Sequence, residues 1–238
     1  MPNYSPLRAW PGFLRFSAVE LLISLALLIF ITPFVQGMPG GDIIEGLLLT
    51  IVFLSAVMAV GVQRRTLVVA ILLAVPAVGG KLINHIQPLL FPAAIFLAFA
   101  IAFLIFVIVH ILRFVLRSPR VSTEVLCASV SAYLMMGVLW AMAYRLAVVV
   151  TPSAFSFNTA QAVNGPMDGF TSFYFSFVTL TTVGYGDITP VSNVARMLAI
   201  TESMTGTLYV AVLIARLVAL YSTPNPSIQS DQTDLPQP

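Results

Sequence analysis

The chain alternates between six long hydrophobic runs and short polar or charged stretches. The runs cover approximately residues 16–35, 43–62, 66–84, 89–112, 123–150 and 192–221. A helix that crosses a membrane needs about 20 largely apolar residues. Each run therefore predicts one membrane span.

The stretch between the fifth and sixth runs differs from the other connections. Residues Gly169 to Leu180 are apolar and aromatic, but this segment has only about three helical turns and is too short to cross the membrane. Asp168 stands at the position of a helix N-cap. The pattern predicts a re-entrant helix that enters the membrane, stops near its middle and is followed by a returning segment.

The returning segment reads T-T-V-G-Y-G-D over residues 181–187. Irregular backbone at membrane depth is tolerated only where protein covers it or where it lines a water-filled path. Gly184 and Gly186 occupy alternate positions and tolerate the φ > 0 that lets successive carbonyls point the same way. A row of carbonyl oxygens can replace the water shell of a cation. The pattern predicts a carbonyl-lined cation path; a glycine-rich extracellular turn, the alternative, does not explain the short apolar helix.

Residues 182–186, TVGYG, followed by Asp187, resemble the selectivity filter of potassium channels. The resemblance extends over residues 123–221, which are similar to that family's outer helix, pore helix, filter and inner helix. It implies that K⁺ binds the backbone carbonyls of four residues: Thr182, Val183, Gly184 and Tyr185. Thr182 would add its hydroxyl. Because one chain supplies one pore loop, a central filter implies a homotetramer.

The same resemblance assigns support roles to neighbouring residues. Four residues are expected to hold the filter: Thr181, Asp187, Tyr174 and Phe175. For Asp187, a simple cap of the outer turn is the alternative. Tyr174 and Phe175 stand where the family often has two tryptophans. Families that stiffen the filter with a buried glutamate on the pore helix carry it near Val178, and this chain has none there.

The sixth run carries further candidate residues. Gly206 falls where the family often has a flexible hinge, and close helix packing is the alternative. Residues four apart share a helix face, and the resemblance assigns a cavity lining to five residues: Thr207, Val210, Ala211, Ile214 and Val218. Glu202 lies inside the run, where an unpaired charge costs roughly 2–3 kcal/mol or more. We expect a protonated or hydrogen-bonded interhelical contact; a charge that concentrates cations or braces the pore helix is the alternative.

Composition and charge narrow the class of protein. Hydrophobic residues make up 59% of the chain and charged residues 8%, against roughly 25% charged in soluble domains, so an integral membrane protein is predicted. No basic block suggests nucleic acid, and the single cysteine, Cys127, excludes an intrachain disulfide.

Eight of the 11 lysines and arginines lie on one side of the predicted spans: Arg8, Arg15, Arg64, Arg65, Arg113, Arg117, Arg120 and Arg216. The positive-inside rule then predicts a multi-pass protein of the cell (plasma or inner) membrane with both termini cytoplasmic.

The fourth run argues against a conventional voltage sensor. Voltage-sensing helices carry arginines at every third position, because charge moving through the field supplies the gating work. Here no arginine precedes Arg113, and we interpret Arg113, Arg117 and Arg120 as positive-inside anchors.

The sequence therefore predicts an all-α membrane protein with six spans and a re-entrant pore helix and filter between the fifth and sixth. Three regions are expected: a four-span region over 1–120, a pore domain over 121–222, and a disordered cytoplasmic tail over 223–238. The predicted function is a potassium-selective channel subunit, which conducts passively and is not an enzyme, with no cofactor other than permeant K⁺. The alternatives are a poorly selective cation channel and a non-conducting membrane sensor or regulatory subunit. A secondary transporter has less support, because no repeated halves with broken helices are visible.

Overall fold

The computed structural model describes residues 13–60, 64–87, 92–158 and 167–221. Within these residues, six helices are long and apolar enough to cross a membrane. They are α1 (Phe13–Val35), α2 (Gly41–Val60), α3 (Arg64–Ile86), α4 (Ala93–Arg117), α5 (Thr123–Val150) and α7 (Asn193–Tyr221). The prediction of an all-α, six-span membrane protein is confirmed. The expected tail over 223–238 lies outside the described residues.

The fourth span is placed differently from the prediction. It begins at Ala93 and ends at Arg117, rather than covering 89–112. Arg113 and Arg117 therefore lie in its last turns and not in the following connection. Both side chains are exposed.

Helix α5 is the centre of the bundle. It packs against α1 and α4 on one side and against α6 (Gly169–Leu180) and α7 on the other. Many of its buried residues are small: Ala128, Ser129, Ala132, Gly137 and Ala141. In lipid, where burying apolar surface gains little, small residues favour helix association because they allow close packing.

Helix α6 forms where the sequence predicted it. The side chain of Asp168 is the N-cap, and its Oδ1 accepts the Thr171 N–H at 2.8 Å. The helix ends at Leu180, and Thr181 is its C-cap. The loop between α5 and α7 thus contains a helix of three turns.

Two short strands join the ends of this loop. Strand β1 (Phe155–Phe157) follows α5, and strand β2 (Ile188–Pro190) precedes α7. They pair antiparallel, with Ser156 opposite Thr189. The sequence did not predict this pairing, which holds the two ends of the pore loop side by side.

Polar contacts attach the first three spans to α5 and to Asp168, the residue before α6. Glu45 of α2 accepts hydrogen bonds from Lys81 of α3 and Arg145 of α5, both at 3.3 Å. Gln36, just after α1, donates to the carboxylate of Asp168. Near the end of α7, Arg216 donates to the carbonyls of Val115 and Ser118 at 3.1 and 2.8 Å. The four-span region is therefore bonded to both ends of the α5–α7 unit.

Candidate ion-conduction site

The backbone after α6 has an alternating conformation. Thr182, Gly184 and Gly186 have φ of 60°, 57° and 79°. Within the described residues, Thr182 is the only non-glycine residue with positive φ. The left-handed region disfavours residues with a Cβ, so the two glycines permit a conformation that neither a regular strand nor a right-handed helix would give.

The amides of this segment bond back to the end of α6. The N–H of Thr182 donates to Thr179 O at 3.0 Å, and the N–H groups of Val183 and Gly184 donate to Val178 O at 2.9 and 3.4 Å. In a planar trans peptide, the carbonyl that precedes each N–H points the opposite way. The carbonyls of residues 181–183 therefore point away from α6.

The opposite side of the segment is open. Residues 181–186 are all exposed in the single chain. Among the described residues, no donor is hydrogen-bonded to the carbonyl oxygens of residues 182–185. Within the described residues, these four oxygens therefore lack a protein donor, and those of residues 182 and 183 point away from α6.

A second set of contacts lies at the end of the segment that leads into β2. The hydroxyl of Tyr174 donates to Asp187 Oδ2 at 2.7 Å, and Asp187 Oδ1 accepts the Ile188 N–H at 3.0 Å. The Tyr174 ring stacks on that of Tyr185, with centroids 6.4 Å apart and planes at 6°. The structure thus brings together three of the residues singled out from the sequence.

The other two support candidates lie elsewhere. Phe175 is buried in an aromatic cluster, with ring centroids 4.8 Å from Tyr144 and 5.2 Å from Phe155. The Thr181 hydroxyl donates to Phe177 O at 2.6 Å and so caps α6. Phe175 therefore packs α6 against α5 and β1.

Asn158 contributes to the site without having been predicted. Its Nδ2 donates to Gly186 O and its backbone N–H to Asp187 O, both at 2.8 Å. Asn158 directly follows β1, and the β1–β2 pairing brings it to the end of the segment that leads into β2. No local feature of the sequence signals this role.

Gly206 is a close contact between α7 and α6. It is buried, and a Cβ at this position would overlap the carbonyl oxygen of Leu180. The Ser203 hydroxyl, on the preceding turn, donates to Thr179 O at 3.2 Å. Helix α7 is continuous through Gly206. The structure thus shows the packing contact, and hinge motion stays a prediction.

The candidate cavity residues share one property. All five are exposed in the single chain: Thr207, Val210, Ala211, Ile214 and Val218. Glu202, by contrast, is fully buried and hydrogen-bonded to Tyr144 and Ser176. Helix α7 therefore presents a largely open face beyond Gly206 and a buried carboxyl one turn before it.

Comparison with known proteins covers this same region. The family model described as "Ion channel" matches residues 132–223. Protein LctB of Bacillus caldotenax is 35% identical over 100 residues, which are 42% of this chain and 74% of the relative. Two-pore potassium channel 4 of Arabidopsis thaliana is 44% identical over 48 residues, 20% of this chain and 17% of that protein. Protein LctB of Geobacillus stearothermophilus is 47% identical over 47 residues, which are 20% of this chain and 34% of that protein. No solved structure matches significantly.

The region matched by the family model begins within α5 and continues through α6 and the alternating segment into α7. One relative more than 30% identical is covered over more than two thirds of its length. The chain therefore belongs to the ion-channel family, as a membrane protein with a pore module of the potassium-channel type.

Proposed function

We propose that the chain is one subunit of a potassium-selective channel that conducts K⁺ passively through a pore formed by four copies. One observation carries the proposal: the amides of residues 182–184 are bonded to α6, while the carbonyls of residues 182–185 have no donor within the described residues. Carbonyls so placed can replace the hydration shell of K⁺. A relative named as a two-pore potassium channel supports this ion.

The exposed surface of α7 supports assembly around a central axis. One chain presents one strip of carbonyls, and enclosing an ion requires several strips related by cyclic symmetry. Large apolar residues of α7 are also uncovered in the single chain: Met197, Ile200, Met204, Leu208, Val210, Val212, Ile214 and Val218. In a homotetramer, neighbouring subunits, lipid and the cavity would divide this surface, and the five candidate lining residues would face the cavity.

The remaining assignments belong to the same proposal. Residues 121–222 form the pore domain, residues 1–120 a four-span membrane region, and 223–238 a cytoplasmic tail. Both termini are cytoplasmic in the cell membrane, as the distribution of lysine and arginine favours. No covalent chemistry or cofactor is required.

The test is ion flux through purified protein in liposomes. We expect a K⁺ gradient to drive flux, and the reversal potential in mixed K⁺ and Na⁺ to lie close to the K⁺ equilibrium potential. A reversal potential that ignores the K⁺ gradient would favour a poorly selective cation channel. Intact tetramers that pass neither ion would favour a non-conducting sensor or regulatory subunit.

Voltage dependence gives a separate prediction. Within the described residues, α4 contains no lysine, and its two arginines, Arg113 and Arg117, lie in its last turns. Neutralising them together with Arg120 should lower expression or disturb topology, because they act as positive-inside anchors. The steepness of the conductance–voltage relation should not change. A steep relation that flattens in the triple variant would contradict this interpretation.

A further inference from the structure

One carboxyl joins three helices behind the pore helix. Among the described residues, Glu202 is the only acidic or basic residue that is fully buried. The Tyr144 hydroxyl of α5 donates to Glu202 Oε2. The Ser176 hydroxyl of α6 lies 2.5 Å from Glu202 Oε1 and 2.8 Å from Gly137 O of α5. The outer, pore and inner helices therefore meet at this side chain.

The contacts require the carboxyl to carry a proton. There are three oxygen–oxygen contacts, and each hydrogen bond needs one hydrogen. Tyr144 and Ser176 supply one each, while the Gly137 carbonyl supplies none. All three bonds form together only if Glu202 donates to Ser176 and Ser176 donates to Gly137 O.

The surroundings agree with a neutral carboxyl. Both salt bridges formed within the described residues belong to Glu45, and neither involves Glu202. A buried carboxylate without a cation is strongly unfavourable. A protonated carboxyl avoids that cost and satisfies every oxygen in the group.

The position of Ser176 connects this group to the filter. Ser176 lies two residues before Val178, whose carbonyl accepts the amides of Val183 and Gly184. One turn after Glu202, Gly206 packs on the carbonyl of Leu180. The inner helix therefore contacts α6 at two successive turns. A shift or rotation of α6 would move the acceptor on which the alternating backbone depends.

We propose that Glu202 is a positioning residue of the filter, a neutral carboxyl on the inner helix that fixes the pore helix between the outer and inner helices. Helix α6 itself contains no carboxyl group. The test of this role by K⁺/Na⁺ selectivity rests on the proposed channel function. The tests by hydrogen exchange and infrared spectroscopy do not depend on conduction.

The hydrogen bonds of Glu202 and Ser176 form a bridge between α5, α6 and α7. The variants separate the effect of losing this bridge from the effect of changing any buried polar side chain. Glu202→Gln keeps the geometry, since the amide N–H can donate to Ser176 and the amide oxygen can accept from Tyr144. Glu202→Ala, Ser176→Ala and Tyr144→Phe each remove part of the bridge. Ser172→Ala is the matched control, because Ser172 is equally buried one turn earlier on α6 but bonds only Gly169 O of its own helix.

The conduction readout is the K⁺/Na⁺ permeability ratio of protein that remains tetrameric. We expect Ser176→Ala and Glu202→Ala to lower it about tenfold, the factor that corresponds to one lost buried hydrogen bond. Glu202→Gln and Ser172→Ala should stay close to wild type. Equal selectivity in wild type and Ser176→Ala, or equal loss in Ser172→Ala and Ser176→Ala, would overturn the proposal.

Two further measurements hold even if the wild type passes no K⁺. Hydrogen exchange of the amides of residues 182–184 should be faster in Ser176→Ala than in wild type and unchanged in Glu202→Gln. Infrared difference spectra should show a carboxylic acid band that Glu202→Gln loses. Unchanged hydrogen exchange in Ser176→Ala would reject the role of Glu202. So would an infrared spectrum in which Glu202→Gln loses a carboxylate band and not a carboxylic acid band. Absence of K⁺ flux alone would reject only the channel function. If Glu202→Ala fails to fold, Ser176→Ala still decides the outcome.

Discussion

Replacing Gly184 by alanine should abolish selective K⁺ flux while leaving membrane insertion intact. The φ of Gly184 is 57°, and a Cβ added there would meet nothing within 4 Å. The penalty is therefore conformational, about 1–2 kcal/mol for each residue forced into the left-handed region. In the proposed homotetramer, each of the four subunits would carry this penalty at the same level of the filter. Relaxing Gly184 to negative φ would turn carbonyls out of the row, and the liposome flux assay would measure the loss.

Gly37→Ala is the matched control for this experiment. Gly37 lies between α1 and α2, has φ of 82°, and also has open space around the added Cβ. It carries a comparable backbone penalty outside the proposed filter, in the connection between α1 and α2, so its variant should retain the K⁺/Na⁺ permeability ratio. Wild-type selectivity in Gly184→Ala would contradict the carbonyl-filter model.

Gly206→Ala should destabilise the protein and impair selectivity together. Its Cβ would overlap the Leu180 carbonyl and approach the Leu180 side chain, at the point where α7 contacts the end of α6. Overpacking of this kind costs about 1–3 kcal/mol in each subunit. Thermal unfolding of the purified protein and the permeability ratio measure the two effects.

The same variant separates packing from hinge motion. If Gly206 acts only as a hinge, alanine should change the open probability and leave thermal stability and selectivity unchanged. Gly79→Ala on α3 is the control for the general effect of alanine in a span, since a Cβ there meets nothing within 4 Å. Equal stability of the Gly206 and Gly79 variants would mean that the contact with Leu180 is not important.

The features predicted correctly from the sequence depend on local chemistry. Span length follows from membrane thickness, and the start of α6 follows from one N-cap residue, Asp168, with its bond to Thr171. The positive φ of Gly184 and Gly186 follows from the absence of a Cβ. Each of these properties is set within a few residues of the position concerned.

The features that the sequence did not predict join distant parts of the chain. Glu202 bonds Tyr144, 58 residues earlier, and Ser176, 26 residues earlier. Asn158 reaches Gly186 across 28 residues through the strand pairing. From sequence, Glu202 was expected to contact another helix, but which helix depends on packing that hydrophobic periodicity does not specify.

The pairing of β1 with β2 also bears on where the chain tolerates insertions. Phe157 lies opposite Ile188, so the strand pairing closes the pore loop. The entropic free-energy cost of closing a flexible loop rises only slowly with its length, by about 0.6 kcal/mol per doubling. Residues added between Phe157 and Gly169 therefore add little to this closure cost. The arm from Leu180 to Ile188 cannot lengthen, because an added residue would shift the alternation of Thr182, Gly184 and Gly186 out of register. Evolutionary change in loop length should therefore accumulate between Phe157 and Gly169.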